Sequence, residues 1–225
     1  MKGIPKISEL FDVEQSIAAP LLKEYCYPHE LLPDIGRLLK ELIPKLRGFK
    51  EISDGVFVSR DARIWDGATI VGPTLIDSGA EIRPGAFIRG NAIIGKNTVI
   101  GNSTEVKNTI VFDSAQLPHY NYAGDSILGY RAHMGAGAIA SNFRADHGNV
   151  TVRCEGEEEA SGLRKLGAIV GDYAEIGCNS VLCPGAVIGR EAVVYPLSRV
   201  RGYIPARTIY KGEGQPVPRR TQEDS

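Results

Sequence analysis

Stepping by six from Val58, the chain places an aliphatic residue at Ile64, Ile70, Ile76, Ile82, Ile88, Ile94, Ile100 and Val106. Four residues after each of the first eight stands a small one: Ala62, Ala68, Thr74, Ala80, Ala86, Ala92, Thr98 or Thr104. The pattern returns as Leu128 and Met134, and again as Val170, Ile176, Leu182, Ile188, Val194 and Val200. A period of six fits neither the 3.6 of a helix nor the alternation of a lone strand. It fits a short strand plus a corner, with three such faces to a coil, so the prediction is an all-β solenoid. The aliphatic residue fills the prism and the small one sits at the tight corner. Gly67 and Gly79 add backbone freedom where a Cβ costs most.

Residues 1–50 carry a different pattern. Leu31, Leu32, Ile35, Leu38, Leu39, Leu42 and Leu46 recur at threes and fours, the mark of an amphipathic helix. Ser8 is placed to cap an earlier helix, and Pro20, Pro28 and Pro33 cut the segment into short pieces. The expected organisation is a small helical cap over 1–50 closing the first coil, a β-helix over 51–205 and a polar tail over 206–225. Two interruptions break the repeat. Sixteen residues separate Phe112 from Leu128, which predicts about four extruded as a loop around Pro118, His119, Tyr120, Asn121 and Tyr122. Beyond Ala140 a second lapse predicts a polar excursion from Arg144 to Lys165, with an acidic run from Glu155 to Glu159. Loops leaving a rigid solenoid are where chemistry is usually sited.

Composition narrows the function classes. With 26 Lys plus Arg against 27 Asp plus Glu, the net charge of -1 provides no global field for nucleic acid or an anionic membrane. No apolar run approaches the ~20 residues that span a bilayer, and no charged-then-apolar signal opens the chain, so the expected location is the cytoplasm. Cys26, Cys154, Cys178 and Cys183 have neither disulfide-scaffold density nor zinc-cluster spacing, and read as reduced thiols. A metal-dependent β-helix needs converging histidines. His119, His133 and His147 are the ones within the repeat region, and His147 falls in the irregular excursion, so no metal is expected.

The chemistry-bearing residues cluster from Arg89 to Asn142: Arg89, then Glu105, Val106 and Lys107, then His119, Tyr122, Gly124 and Asp125, then Gly135, Ala136, Gly137 and Asn142. Together with the strict hexapeptides, this run resembles the hexapeptide-repeat acyltransferases. The resemblance is to the C-terminal acetyltransferase domain of the bifunctional UDP-N-acetylglucosamine pyrophosphorylase/glucosamine-1-phosphate acetyltransferase, over roughly residues 55–205. It implies a left-handed parallel β-helix, acetyl-CoA as acyl donor, an amino-sugar 1-phosphate acceptor and a homotrimer.

Carried over residue by residue, the resemblance makes His119 the general base that deprotonates the acceptor amine, with Glu105 as its orienting acid. A neutral imidazole suits that task near neutral pH. Arg89 and Lys107 match the sugar-phosphate contacts, Tyr122 and Asn142 hold the sugar, and Lys165 reaches in from a neighbouring subunit. Ala136, Cys178 and Pro196 fall at the acetyl-CoA site. The chain departs from the family at His133, where the family has a pocket Asn, at Phe143 in place of a Tyr, and at Pro196 in place of an Ala. It lacks a Gly-rich nucleotide loop, so no uridylyl transfer is expected. The competing reading is a non-catalytic hexapeptide protein that binds a sugar nucleotide or partners a separate nucleotidyltransferase.

Overall fold

The computed structural model describes residues 4–154, 156–212 and 214–219. They form a parallel β-solenoid of about nine turns with little helix, as the six-residue period predicts. The first face stacks Val56–Ser59, Thr74–Ile76, Ala92–Ile94, the second half of Glu105–Val111, the second half of Tyr122–Leu128, Ala168–Val170, Ala186–Ile188 and Tyr203–Ile204. Val58 lies opposite Ile76 and Ile76 opposite Ile94, so each of these coils takes eighteen residues. The second face runs from Arg63–Ile64 to Thr208–Tyr210 and the third from Thr69–Ile70 to Arg199–Val200. Ile76, Ile82, Ile88, Ile94, Ile100, Val106 and their successors meet inside as one fully buried column.

The extruded loop around His119 is absent. Ile94 pairs with Val111 and Val111 with Leu128, so these two coils take seventeen residues and stay in register. Inward positions fall at Val106 and then Val111, and at Ala123 and then Leu128, five apart. Each shortened corner lies inside a single strand, Glu105–Val111 or Tyr122–Leu128, with Asn108 and Asp125 taking left-handed φ of 48° and 49° to make the turn. Phe112, read from the sequence as a repeat position, points away from the prism core. The excursion is real: it contains an antiparallel hairpin of Thr151–Cys154 with Glu157–Ala160. Glu155, in the acidic run, lies outside the described residues.

The N-terminal segment is helical in short pieces, as the pattern predicts, but it does not cap the first coil. The outward residues of the first face are apolar too: Leu75, Ile93, Ile110, Ile127, Ile169 and Val187 are each at most 2% exposed. They are covered by Ile7, Leu10, Phe11, Leu22, Leu31, Leu32, Ile35, Leu38 and Leu39 in a second core. The helix Ile35–Leu42 turns Ile35, Leu38, Leu39 and Leu42 inward and pairs Arg37 with Glu41 at 2.8 Å on its outer side. The segment climbs the prism from late coils to early ones. Asp172 Oδ2 accepts from the Asp12 N–H at 2.6 Å, Phe11 stacks on Phe112 with centroids 5.0 Å apart, and Gly36 abuts Asn91. Val150 and Val152 of the excursion, and Leu166 just after it, join the same core. The C-terminal tail is also partly structured. Thr208–Tyr210 continues the second face and Val217–Pro218 folds back on it antiparallel, while residues 220–225 of the expected tail lie outside the described residues.

Two outcomes follow. Phe112→Ala removes a fully buried ring from the seam between the segment and the prism, and should lower unfolding free energy by about 3–5 kcal/mol in denaturant titration. Burial raises the pKa of Asp77, whose Oδ2 has no hydrogen-bond partner among the described residues. The native state therefore holds the proton to higher pH than the unfolded chain, so stability from this group is greatest at low pH and falls as pH rises through the interval above the ordinary Asp value of about 3.9. Asp77→Asn should flatten that decline in thermal melts run across pH.

Candidate functional site

The sequence-identified residues gather on the third face and its two edges. At the edge shared with the second face, His119 closes the strand Gln116–His119. Its carbonyl accepts from the Gly137 N–H at 3.0 Å, while Ala136 and Cys178 carbonyls accept from Asn179 and Leu197, each at 2.9 Å. His119, Ala136, Cys178 and Pro196 therefore stack coil by coil in one column. Each is followed by a left-handed residue, Tyr120, Gly137, Asn179 or Leu197, that turns the corner. Leu197 stands out from the end of this column at 79% exposed.

Across the face, the outward positions are Phe87, Glu105, Tyr122, Ile139 and Val181, paired in that order. At the opposite edge the side chains form a polar network. Arg89 Nη1 lies 2.7 Å from Glu105 Oε1, and Lys107 Nζ lies 3.6 Å from Asp125 Oδ2. Asn142 Nδ2 donates to Tyr122 Oη at 3.2 Å and to Asp125 Oδ2, while Asn108 Nδ2 donates to Asp125 Oδ1 at 2.9 Å. Gly124 is required here: a Cβ would come within 2.6 Å of Asn142 Nδ2. Burial pushes the Tyr122 phenol up, opposed by the Asn142 hydrogen bond, so it stays a neutral hydroxyl. The Glu105 carboxylate raises the already high Arg89 pKa. The result is two cations, each ion-paired with a carboxylate, beside the neutral hydrogen-bonding groups of Tyr122 and Asn142.

Glu105 has Arg89 as its partner. Among the described residues no hydrogen bond or ion pair joins it to His119, although both belong to the third face or its edge. Lys165 lies where the excursion returns to the prism: it bridges Phe143, and the next residue, Leu166, donates its N–H to the Asn142 carbonyl at 3.0 Å. Its backbone thus joins the Asn142 end of the network. His133 sits elsewhere, on the second face with Nδ1 2.9 Å from Glu175 Oε2. Asn121 is a buried support that the sequence reading passed over. Its Nδ2 donates to the Gly135 carbonyl at 2.8 Å and its Oδ1 accepts from the His119 N–H at 3.1 Å. Asn108 was also missed, and Asp125, though part of the sequence cluster, was given no role there; an Asn and an Asp at equivalent corners of adjacent coils is the signal that joins them. Among the described residues, no group of three or more His, Cys, Asp and Glu side chains could hold a metal ion. No helix among them is long and apolar enough to cross a membrane.

Comparison with known proteins agrees with the sequence resemblance. The family model of the GMPPB C-terminal domain matches residues 70–155. A bifunctional sugar-1-phosphate nucleotidylyltransferase/acetyltransferase from Sulfurisphaera tokodaii is 37% identical over 108 residues, 48% of this chain and 26% of that protein. A bifunctional protein GlmU from Methanococcus vannielii is 34% identical over 171 residues, 74% of this chain and 41% of that protein. The chain thus spans well under half the length of these curated relatives. A solved hexapeptide transferase family protein from Anaplasma phagocytophilum superposes with a TM-score of 0.42 at 19% identity, covering 76% of this chain and 83% of its own. The chain is similar in sequence to the bifunctional sugar-phosphate enzymes and carries the hexapeptide repeat along its prism, outside the N-terminal segment and the excursion.

Asp125 is the hub of the polar edge. Asp125→Ala leaves two amides and a lysine without their buried acceptor, at an expected cost of about 1–3 kcal/mol in unfolding free energy. A variant as stable as the parent in denaturant titration would show that the network carries no such weight.

Proposed function

We propose that the chain is an acetyl-CoA-dependent N-acetyltransferase acting on an amino-sugar 1-phosphate, glucosamine 1-phosphate or a close relative. The observation that carries this reading is the division of one face. Arg89, Lys107, Tyr122 and Asn142 crowd one edge, while His119 heads the column of Ala136, Cys178 and Pro196 at the other. Phosphate oxygens meet the two cations. The Arg89–Glu105 pair is partly exposed, worth about 0–1 kcal/mol, and so a weak competitor, while Lys107 keeps buried Asp125 as its partner. Tyr122 and Asn142 supply hydrogen bonds to the sugar, and Lys165 supplies a further cation. The donor's pantetheine arm lies along the column, its thioester near His119.

In the reaction, the acceptor nitrogen gives its proton to His119 as it bonds to the thioester carbonyl carbon. Collapse of the tetrahedral adduct breaks the C–S bond and releases the thiolate of coenzyme A. Because Glu105 is bonded to Arg89, its part is to aim that guanidinium at the phosphate. Exposed Phe87, Ile139 and Val181 on the same face favour a homotrimer in which a second prism covers them. Acetyl-CoA and sugar phosphates are metabolites of the cytoplasm, where this reading puts the protein.

Acetyl transfer from acetyl-CoA to a panel of amino-sugar 1-phosphates, followed by thiol release, tests the reading. His119→Ala should fold normally and lose about 10²- to 10⁴-fold in kcat. Lys107→Ala should raise the acceptor KM with less change in kcat, since a phosphate contact exists in ground and transition states alike. Glu105→Gln should follow Lys107→Ala in its kinetic signature. Turnover like that of the parent in folded His119→Ala rejects His119 as base; a parent protein inert across the panel rejects the transferase reading.

A further inference from the structure

One corner of the prism departs from the rule of small residues. Four positions after the inward residue of the second face stand Ala68, Ala86, Thr104, Ala138, Ser180 and Ser198, but the coil of His119 puts Asn121 there, 2% exposed. The turn around it differs too. Ala68, Ala86, Thr104, Ala138 and Ser180 each donate the backbone N–H to the carbonyl three residues back, at 3.0–3.3 Å. Asn121 instead donates its N–H to Thr104 Oγ1 at 3.2 Å. The Pro118 carbonyl, which holds the acceptor position of this corner, lies so close over Gly101 that a Cβ there would collide with it.

The Asn121 side chain closes this corner in place of the backbone. Its Oδ1 accepts from the His119 N–H at 3.1 Å, reaching back across the left-handed Tyr120. Its Nδ2 donates to the Gly135 carbonyl at 2.8 Å and the Ala138 carbonyl at 3.3 Å, the two ends of the turn that carries Ala136 on the next coil. On the other side, the Asn121 carbonyl accepts from the Glu105 N–H at 2.9 Å. A buried amide satisfied at both ends holds its partners in one arrangement, because any shift strands a polar group away from water. The His119 ring, by contrast, is exposed and has no hydrogen bond or ion pair among the described residues. Backbone alone therefore fixes where the imidazole starts from, and Asn121 fixes that backbone.

We propose that Asn121 is a positioning residue of the acyl transfer, one that holds His119 at a fixed place relative to the Ala136 turn. The inference rests on the transferase reading, in which His119 takes the acceptor's proton and the column from Ala136 onward carries the donor. Base and donor turn then belong to successive coils tied together by one side chain, and that side chain touches neither substrate. Loss of the tie lets the two drift, and misplacement of reacting groups by about 1 Å costs on the order of 10²-fold in rate. The other corners show which substitutions the prism accepts at this position: Ala, Thr and Ser.

The test uses the full chain with acetyl-CoA and the best amino-sugar phosphate acceptor, comparing the parent with Asn121→Ala, Asn121→Thr, His119→Ala and the double variant His119→Ala/Asn121→Ala. Both single Asn121 variants should fold and lose about 10- to 10²-fold in kcat. The acceptor KM should stay near the parent's, since Arg89 and Lys107 stand at the opposite edge. Because Asn121 acts through His119, the double variant should be no slower than His119→Ala alone. Amide exchange followed by NMR should show the His119 N–H exchanging faster in Asn121→Ala, whatever the activity. Parent-like kcat in a folded Asn121 variant overturns the proposal, as do losses that multiply in the double variant or a His119 amide that exchanges at the parent's rate. Failure of both Asn121 variants to fold also overturns it, by assigning the residue to the frame. A parent that transfers no acetyl group rejects the transferase reading and the proposal with it, whereas an active parent with unaffected variants rejects the proposal alone.

Discussion

Strands inside the prism find their hydrogen-bond partners on the coil before and the coil after, so all coils must present their backbone groups at the same places. That demand fixes three inward residues per coil at matching heights and leaves the corners as the places where length can vary. The two seventeen-residue coils show the rule at work. A residue is lost, and the loss is absorbed at the edge between third and first faces by Asn108 and Asp125 in left-handed conformation, while Ile94, Val111 and Leu128 remain stacked. The same two residues then become the centre of the polar network. Shortening the corner and building the site are one structural event.

A prism with three equivalent faces has no preferred side for ligand. Here the faces are unequal because the residue preceding the inward aliphatic is itself aliphatic on the first face. Leu75, Ile93, Ile110, Ile127, Ile169 and Val187 demand cover, and the N-terminal segment with part of the excursion supplies it. The second and third faces keep polar or mixed outward residues, and their shared edge carries His119 and the column below it. The buried aspartate Asp172 ties the two halves, accepting N–H groups from Asp12 and Tyr130 and lying 3.3 Å from Arg190.

The fold was legible because the six-residue period is nearly unbroken from Val58 to Val106. It was misread at Phe112 because one phase was carried across a five-residue step; restarting at Val111 recovers Leu117 and Ala123 as the next inward residues. Placement of the N-terminal segment was equally present in the sequence, in the aliphatic residue one position before every third inward site, but a six-residue count looks only at the inward one. Lys107 and Asn142 meet at Asp125, Tyr122 bonds to Asn142, and Arg89 pairs with Glu105 two residues before Lys107. The Glu105 partner did not follow from sequence, since which cation or imidazole a surface carboxylate meets depends on neighbouring coils sixteen or more residues away.

If the first face is committed to the N-terminal segment and the edge between second and third faces holds the donor, acetyl-CoA must leave its mark on that edge alone. Hydrogen–deuterium exchange with and without acetyl-CoA measures this directly. Slowed exchange at the corner residues around 119–121, 136–138, 178–180 and 196–198, with residues 4–46 unchanged, is the result this account predicts. Protection confined to residues 4–46 or to the first face would contradict it.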